Sequence, residues 1–270
     1  MRFECRRLMV LVCMAMMGLV SCRDNEIVDI PYPDQKIYLP AAVQGIFYIN
    51  SIAEPIGNTP VPGYPYRYLV DLANRRFNIP LAVYRSGVDN KGGFDVQITL
   101  VADTVTDLMA DGSLPDTTLL LPAKAYNLPE EVVVQDGDEI GPFTLSVDLD
   151  FLRQHESQLF ALGIHVASGA REANDEISTA IIAIDTRMLH PVADFQYAVD
   201  ETDGMQVHFT NQSLFSVDYQ WDFGDGSDKS TEEAPSHVYS ASGTYPVTLT
   251  ATGITGQADE SAVTFDVIVP

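Results

Sequence analysis

Apolar and polar residues alternate with a period of two through most of this chain. Phe94, Val96, Ile98 and Leu100 are interleaved with Asp95, Gln97 and Thr99, and Phe143, Leu145, Val147 and Leu149 with Thr144, Ser146 and Asp148. Successive side chains on a strand point to opposite faces, so each run predicts a strand with one face in a core and the other in water. Further strands are predicted at residues 37–41, 130–134, 162–168 and 179–185, with Asp111-Gly112 and Asp136-Gly137 as turn signals between them. Helix is scarce, and only residues 104–110 and 152–159 predict short ones. After residues 189–195 the texture tightens. Tyr219, Trp221 and Phe223 fall on one strand face, Tyr245, Val247, Leu249 and Ala251 on another, and Val263, Phe265, Val267 and Val269 on a third. Repeated short strands with turn punctuation predict antiparallel sandwiches.

The N-terminus breaks this pattern. Arg2, Arg6 and Arg7 precede an apolar run over residues 8–20, the length of a signal sequence and too short to span a bilayer comfortably. The run ends in LVSC, which resembles the lipobox of bacterial lipoproteins, so the resemblance implies lipidation of Cys22 after removal of residues 1–21. The RDNE that follows resembles the acidic signal that routes Bacteroidetes-type lipoproteins to the outer face of the outer membrane. Residues 22–34 then read as a lipidated tether with Pro31 and Pro33, reaching at most roughly 40 Å when extended.

Charge and cysteines narrow the partners. The chain has 15 Lys and Arg against 38 Asp and Glu; Arg2, Arg6, Arg7 and Glu4 leave with the signal, so the mature protein keeps 12 against 37, a net of −25. Such a field repels a phosphate backbone, which argues against a nucleic-acid partner, and disfavours docking on anionic lipid, so membrane attachment is expected through the lipid anchor only. Cys5 and Cys13 leave with the signal, and an acylated Cys22 would leave no thiol for a disulfide or a cysteine metal site.

Two resemblances organise the rest. FDVQITLVAD, LLLPAKAYNLPEEVVVQDGDEIG, FALGIHVAS and EISTAIIAID resemble the N-terminal sandwich domain of unknown function at the front of many Bacteroidetes surface lipoproteins, some of them glycoside hydrolases or glycan-binding proteins. That assigns residues 35–188, with one departure at Leu162-Gly163, where the resemblance implies a Leu-Pro pair. PVADF, VHFTNQS, WDFGDG, HVY and GTYPVTLT follow in order and are similar to the PKD (polycystic kidney disease) domain, an immunoglobulin-like sandwich, over residues 189–270. The expected fold is all-β: two tandem antiparallel immunoglobulin-like β-sandwich domains behind a lipoprotein signal peptide.

The candidate chemistry is sparse. In WDFGDGS, Trp221 and Phe223 point inward, while Asp222, Gly224, Asp225 and Gly226 supply the positive φ and local hydrogen bonds of a turn. The rival is a calcium loop using Asp222, Asp225 and Asp228, although the spacing is not that of an EF-hand. No nucleophile elbow, zinc helix or phosphate-cradling loop occurs, and His155, His165, His190, His208 and His237 do not pair at ligand spacing. We therefore expect no catalytic residues, no metal and no cofactor. The best binding feature is GYPYRYL, where Tyr64, Tyr66 and Tyr68 alternate and could present a row of rings to a sugar or a partner; the alternative is that two of the three belong to the core of a strand. The expected function is a non-catalytic cell-surface lipoprotein that binds or captures a polysaccharide, with adhesion to a surface protein as the alternative.

Overall fold

The computed structural model describes residues 34–52 and 59–270. The expected signal peptide, Cys22 and all of the tether but Asp34 lie outside the described residues. Residues Gln35–Pro270 form one compact unit, with eighteen strands among the described residues. The first twelve are β1 Lys36–Tyr38, β2 Ile46–Ile49, β3 Leu69–Asp71, β4 Arg76–Arg85, β5 Phe94–Leu100, β6 Leu119–Leu120, β7 Tyr126–Asn127, β8 Glu131–Val134, β9 Ile140–Asp148, β10 Leu159–Ala167, β11 Glu172–Ala173 and β12 Thr179–Asp185. Two helices join them, α1 Ala102–Ala110 and α2 Leu149–Arg153. The last six strands are β13 Phe195–Val199, β14 Gln206–Asn211, β15 Asp218–Asp222, β16 Ser236–Val238, β17 Gly243–Gly253 and β18 Gly256–Val269.

The first sandwich packs a sheet ordered β11-β1-β4-β9-β7, with β3 also on β4, against one ordered β2-β12-β10-β5-β8, with β6 also on β10. Both are antiparallel at their centres, and β11, β2 and β6 add parallel partners. Phe77, Ile79, Leu81 and Val83 of β4 meet Val96, Ile164, Val166 and Ile182 in the core between them. The second sheet is also buried on its far side, where Val105 of α1 and Leu114 pack on Ala161, Ile181 and Ala183. That second cover explains why β10 and β12 read as near-continuous apolar runs rather than alternating ones. It also explains Gly163. A Cβ there would stand 2.4 Å from the Val101 carbonyl oxygen, where the chain crosses into α1.

Several local expectations shift. Residues 37–41 do not continue as a strand: Pro40 opens a 3-10 turn over Pro40–Ala42. The helix expected at 152–159 lies earlier, because Asp148 caps it by accepting from the Phe151 amide, and Leu159 instead begins β10. Leu149 is consequently the first helical residue, not the last of a strand. Leu100 is 52% exposed at the end of β5, just before the chain turns into α1. The central strand β4 goes unannounced because Pro80 interrupts its pattern. β4 is paired on one flank only near its ends, with β3 at Arg76–Asn78 and with β1 at Tyr84 and Arg85, the setting in which a sheet tolerates a proline.

Among the described residues two buried side chains carry a charge, Arg85 and Asp185. Arg85 is 1% exposed and donates to the carbonyls of Asp138 (2.6 Å), Gly92 (2.9 Å), Lys91 (3.2 Å) and Gln135 (2.9 Å), tying two loops together with no carboxylate among these acceptors.

The second sandwich sets β13-β14-β16 against β15-β17-β18. Its core holds Phe195, Phe209, Trp221, Phe223, Val247, Leu249 and Val267. Phe215 and Ile254 pack against the core of the first sandwich, and Arg153 of α2 pairs with Asp259 at 2.6 Å.

Candidate functional site

The three tyrosines do not form a row. Val61-Pro62-Gly63-Tyr64 is a tight turn closed by the Tyr64 amide donating to the Val61 carbonyl at 3.2 Å, with Gly63 at φ +83°. Proline second and glycine third with positive φ are the marks of a type II turn, so the Pro-Gly pair announces it in the sequence. The turn leaves Tyr64 47% exposed, and the segment after it is not a strand. Tyr66 is half-buried. Tyr68 is 4% exposed, stacked on Phe77 with centroids 4.5 Å apart, its hydroxyl donating to the Ser51 carbonyl at 3.2 Å.

Tyr64 stands over the outer face of the first sheet. Partner residues across a sheet share a face, and the register aligns Leu69 of β3, Asn78 of β4, Ser146 of β9 and Asn127 of β7 in one outward row. Pro80 and Thr144 are paired in the next outward row. A cleft of about 440 Å³ lies on this floor between Val61, Tyr64 and Leu69 on one side and Pro142, Thr144 and Ser146 on the other. A second cleft, of about 430 Å³, shares Thr144 and Ser146 and continues to Asn127, Leu128 and Pro129. A third, of about 750 Å³, shares Tyr64 and is walled by Val43, Phe47 and four prolines, Pro40, Pro60, Pro62 and Pro65. Tyr126 also lines the second cleft, but its register opposite Val147 turns it toward the core, where burial pushes its hydroxyl pKa up. Tyr64 is therefore the exposed ring of this groove, and Asn78, Asn127, Thr144 and Ser146 supply uncharged donors and acceptors. Asn78, Thr144 and Ser146 lie outside the segments that carry the two resemblances, and Asn127 lies within one of them. Only the strand pairing brings them together.

The WDFGDGS segment is a hydrogen-bonded turn. Trp221 is fully buried, edge-on to Phe195 at 5.1 Å, and its indole donates to the Glu232 carbonyl at 2.9 Å. Asp222 accepts from the Gly224 amide at 3.1 Å and pairs with Lys229 at 3.4 Å. Gly224 has φ +75°, and a Cβ there would lie 2.6 Å from the Pro246 carbonyl oxygen; Gly226 has φ +81°. Asp225 accepts from the amide of Ser227 at 3.0 Å, from its hydroxyl at 2.6 Å, and meets His237 Nε2 at 2.8 Å. Burial resists ionisation of Asp225, but the Ser227 hydroxyl and amide and His237 outweigh it and hold its pKa at about 2. His237 lies flat on Phe223 at 4.0 Å and edge-on to Tyr239 at 4.6 Å. His237 has no second histidine at ligand spacing in the sequence, and the folded geometry brings it to Asp225. Among the described residues no group of three or more His, Cys, Asp or Glu converges as metal ligands.

Residues 189–269 match the family model for the PKD domain. This segment is a PKD domain. Over it the chain is similar to the PKD1 domain of the Vibrio cholerae metalloprotease PrtV, with 38% identity and a TM-score of 0.27 across 30% of this chain and 96% of that one. The curated pre-pro-metalloprotease PrtV of Vibrio cholerae serotype O1 is 30% identical over 158 residues, which are 53% of this chain and 17% of that protein. The chain thus spans about one sixth of the length of the curated relatives it matches, at 17%. A two-domain protein of unknown function from Bacteroides fragilis aligns over 86% of this chain and 94% of its own, with 8% identity and a TM-score of 0.43.

Proposed function

We propose that the protein is a non-catalytic, surface-displayed lipoprotein whose first sandwich binds a polysaccharide. The observation that carries this is the groove: one exposed ring, Tyr64, above a floor of Asn78, Asn127, Thr144 and Ser146. A sugar ring stacks its C–H face on an aromatic and satisfies its hydroxyls with side-chain amides and hydroxyls. In this reading the PKD domain is an accessory module, and Cys22 anchors the chain in the outer membrane. The test is retardation of residues 34–270 in native gels containing polysaccharide. We expect weak retardation, in the micromolar to millimolar range, about −8 to −4 kcal/mol, without release of reducing sugar. Tyr64→Ala abolishes it; retention of full retardation by Tyr64→Ala refutes the site, and release of reducing sugar refutes the non-catalytic reading.

A second reading, adhesion to a surface protein, is favoured by Val192 and Leu214. They are paired backbone to backbone, yet 50% and 58% exposed. Co-purification of a bacterial or host protein, lost in Leu214→Ser, with no polysaccharide retarding the wild type, selects that reading.

A further inference from the structure

Among the described residues, none that lines the three linked clefts carries a charge, in a chain where 20% of residues do. The groove contrasts with the rest of a protein whose net charge is −23. Its walls are prolines, aliphatic residues and rings, and its polar side chains are the amides of Gln44, Asn78 and Asn127 and the hydroxyls of Thr59, Thr144, Ser146 and the two tyrosines. An anionic ligand would find no cation here to pair with, and would cross an acidic field to reach it. A cationic ligand would be drawn to the protein but would find no carboxylate in the groove to fix its position. The row from Leu69 to Asn127 crosses three inter-strand gaps, roughly 14 Å, which is longer than one sugar ring.

We propose that this groove is selective for neutral polysaccharides, holding a segment of several rings by stacking and uncharged hydrogen bonds and rejecting uronate-bearing or sulfated chains. The inference rests on the glycan reading above and adds the chemical class that the site accepts. Binding through uncharged groups releases no counterions, so its affinity is insensitive to salt, whereas attraction between opposite charges is screened within about 8 Å at physiological ionic strength.

The experiment measures binding of the full chain to a panel of neutral homopolysaccharides and a matched panel carrying uronic acids or sulfates, at low and at physiological salt. The expected result is retention by one or more neutral chains, with affinity constant within about twofold across the salt range, and none by the anionic chains at either salt. Asn78→Ala is expected to weaken the neutral complex about tenfold, one lost hydrogen-bonding partner's worth, with an unchanged melting temperature because Asn78 lies on the outer face. Binding of an anionic chain as tightly as any neutral one, with affinity falling as salt rises, overturns the selectivity while leaving glycan binding intact. An unchanged affinity in Asn78→Ala moves the site off this floor and overturns the proposal as well. Failure of both panels to bind removes the glycan reading itself, and the selectivity falls with it.

Discussion

Replacing Asp225 by Asn keeps the shape of the turn while removing its carboxylate, and the cost can be worked from three contacts. Asp225 accepts from the Ser227 amide at 3.0 Å and hydroxyl at 2.6 Å, and meets His237 at 2.8 Å. These partners hold its pKa at about 2, against about 3.9 for an ordinary aspartate, a difference equivalent to roughly 2.5 kcal/mol of preference for the ionised form. Water around the turn screens part of that, leaving about 1–2 kcal/mol of stability. For a cooperative unit of this size the expected fall in melting temperature is about 2–8 °C. The sign with pH follows from linkage. The folded state binds its proton less readily than the unfolded chain, so the contribution is fully present above about pH 5 and is lost as the pH falls through 4 toward 2. Calorimetry of wild type and Asp225→Asn from pH 7 to pH 2.5 checks this: the gap in melting temperature is expected to close on acidification. A gap that persists unchanged at pH 2.5, or one absent at pH 7, refutes the assignment of the stability to the ionised carboxylate. A rise in wild-type melting temperature with millimolar calcium, reversed by chelator and absent from Asp225→Asn, assigns the same oxygens to a metal instead, since a ligand at 100 times its dissociation constant stabilises by about 2.7 kcal/mol.

Two further outcomes are expected. Cys22→Ala, motivated by LVSC, is expected to move the protein from the membrane to the soluble fraction and to abolish incorporation of a clickable fatty acid; label retained by the variant refutes the anchor. Arg85→Met strips four loop carbonyls of their donor, so it is expected to cost about 1.5–3 kcal/mol and to speed amide exchange at Gly137, whose N–H donates to the Asn90 carbonyl between the two loops that Arg85 ties. Unchanged urea midpoints in Arg85→Met would show the carbonyls to be satisfied without it.

What was legible in the residues follows from where periodicity survives. β5 and β9 have one wet face, so alternation marks Phe94, Val96 and Ile98, and Phe143, Leu145 and Val147, as core. β12 is covered on both sides and reads as an apolar run, TAIIAID, that does not alternate, yet it lies where a strand is expected. β4 was hidden by Pro80, whose tolerance depends on the partial pairing of its neighbours and so on long-range topology. The turn of the PKD domain was legible because Gly224 and Gly226 sit at the positions where positive φ is required. The groove was not. Asn78, Asn127, Thr144 and Ser146 are ordinary outward strand residues, and nothing local distinguishes them from any other wet face. Of the alternating tyrosines only Tyr64 stands exposed beside the groove, because the turn made by Pro62 and Gly63 precedes it and Tyr68 is drawn onto Phe77.

The helix α1 gives the two outer faces of the first sandwich unequal freedom to change. Where Val105 and Leu114 press on Ala161, Ile181 and Ala183, a new side chain must fit a packed interface, and Gly163 admits no side chain at all without displacing the backbone of Val101. On the opposite sheet, Asn78, Thr144, Ser146 and Asn127 project from strands whose inward residues alone hold the core. Related sequences can therefore exchange these four residues at little cost in stability. One scaffold can vary that face while the helix-covered face stays fixed.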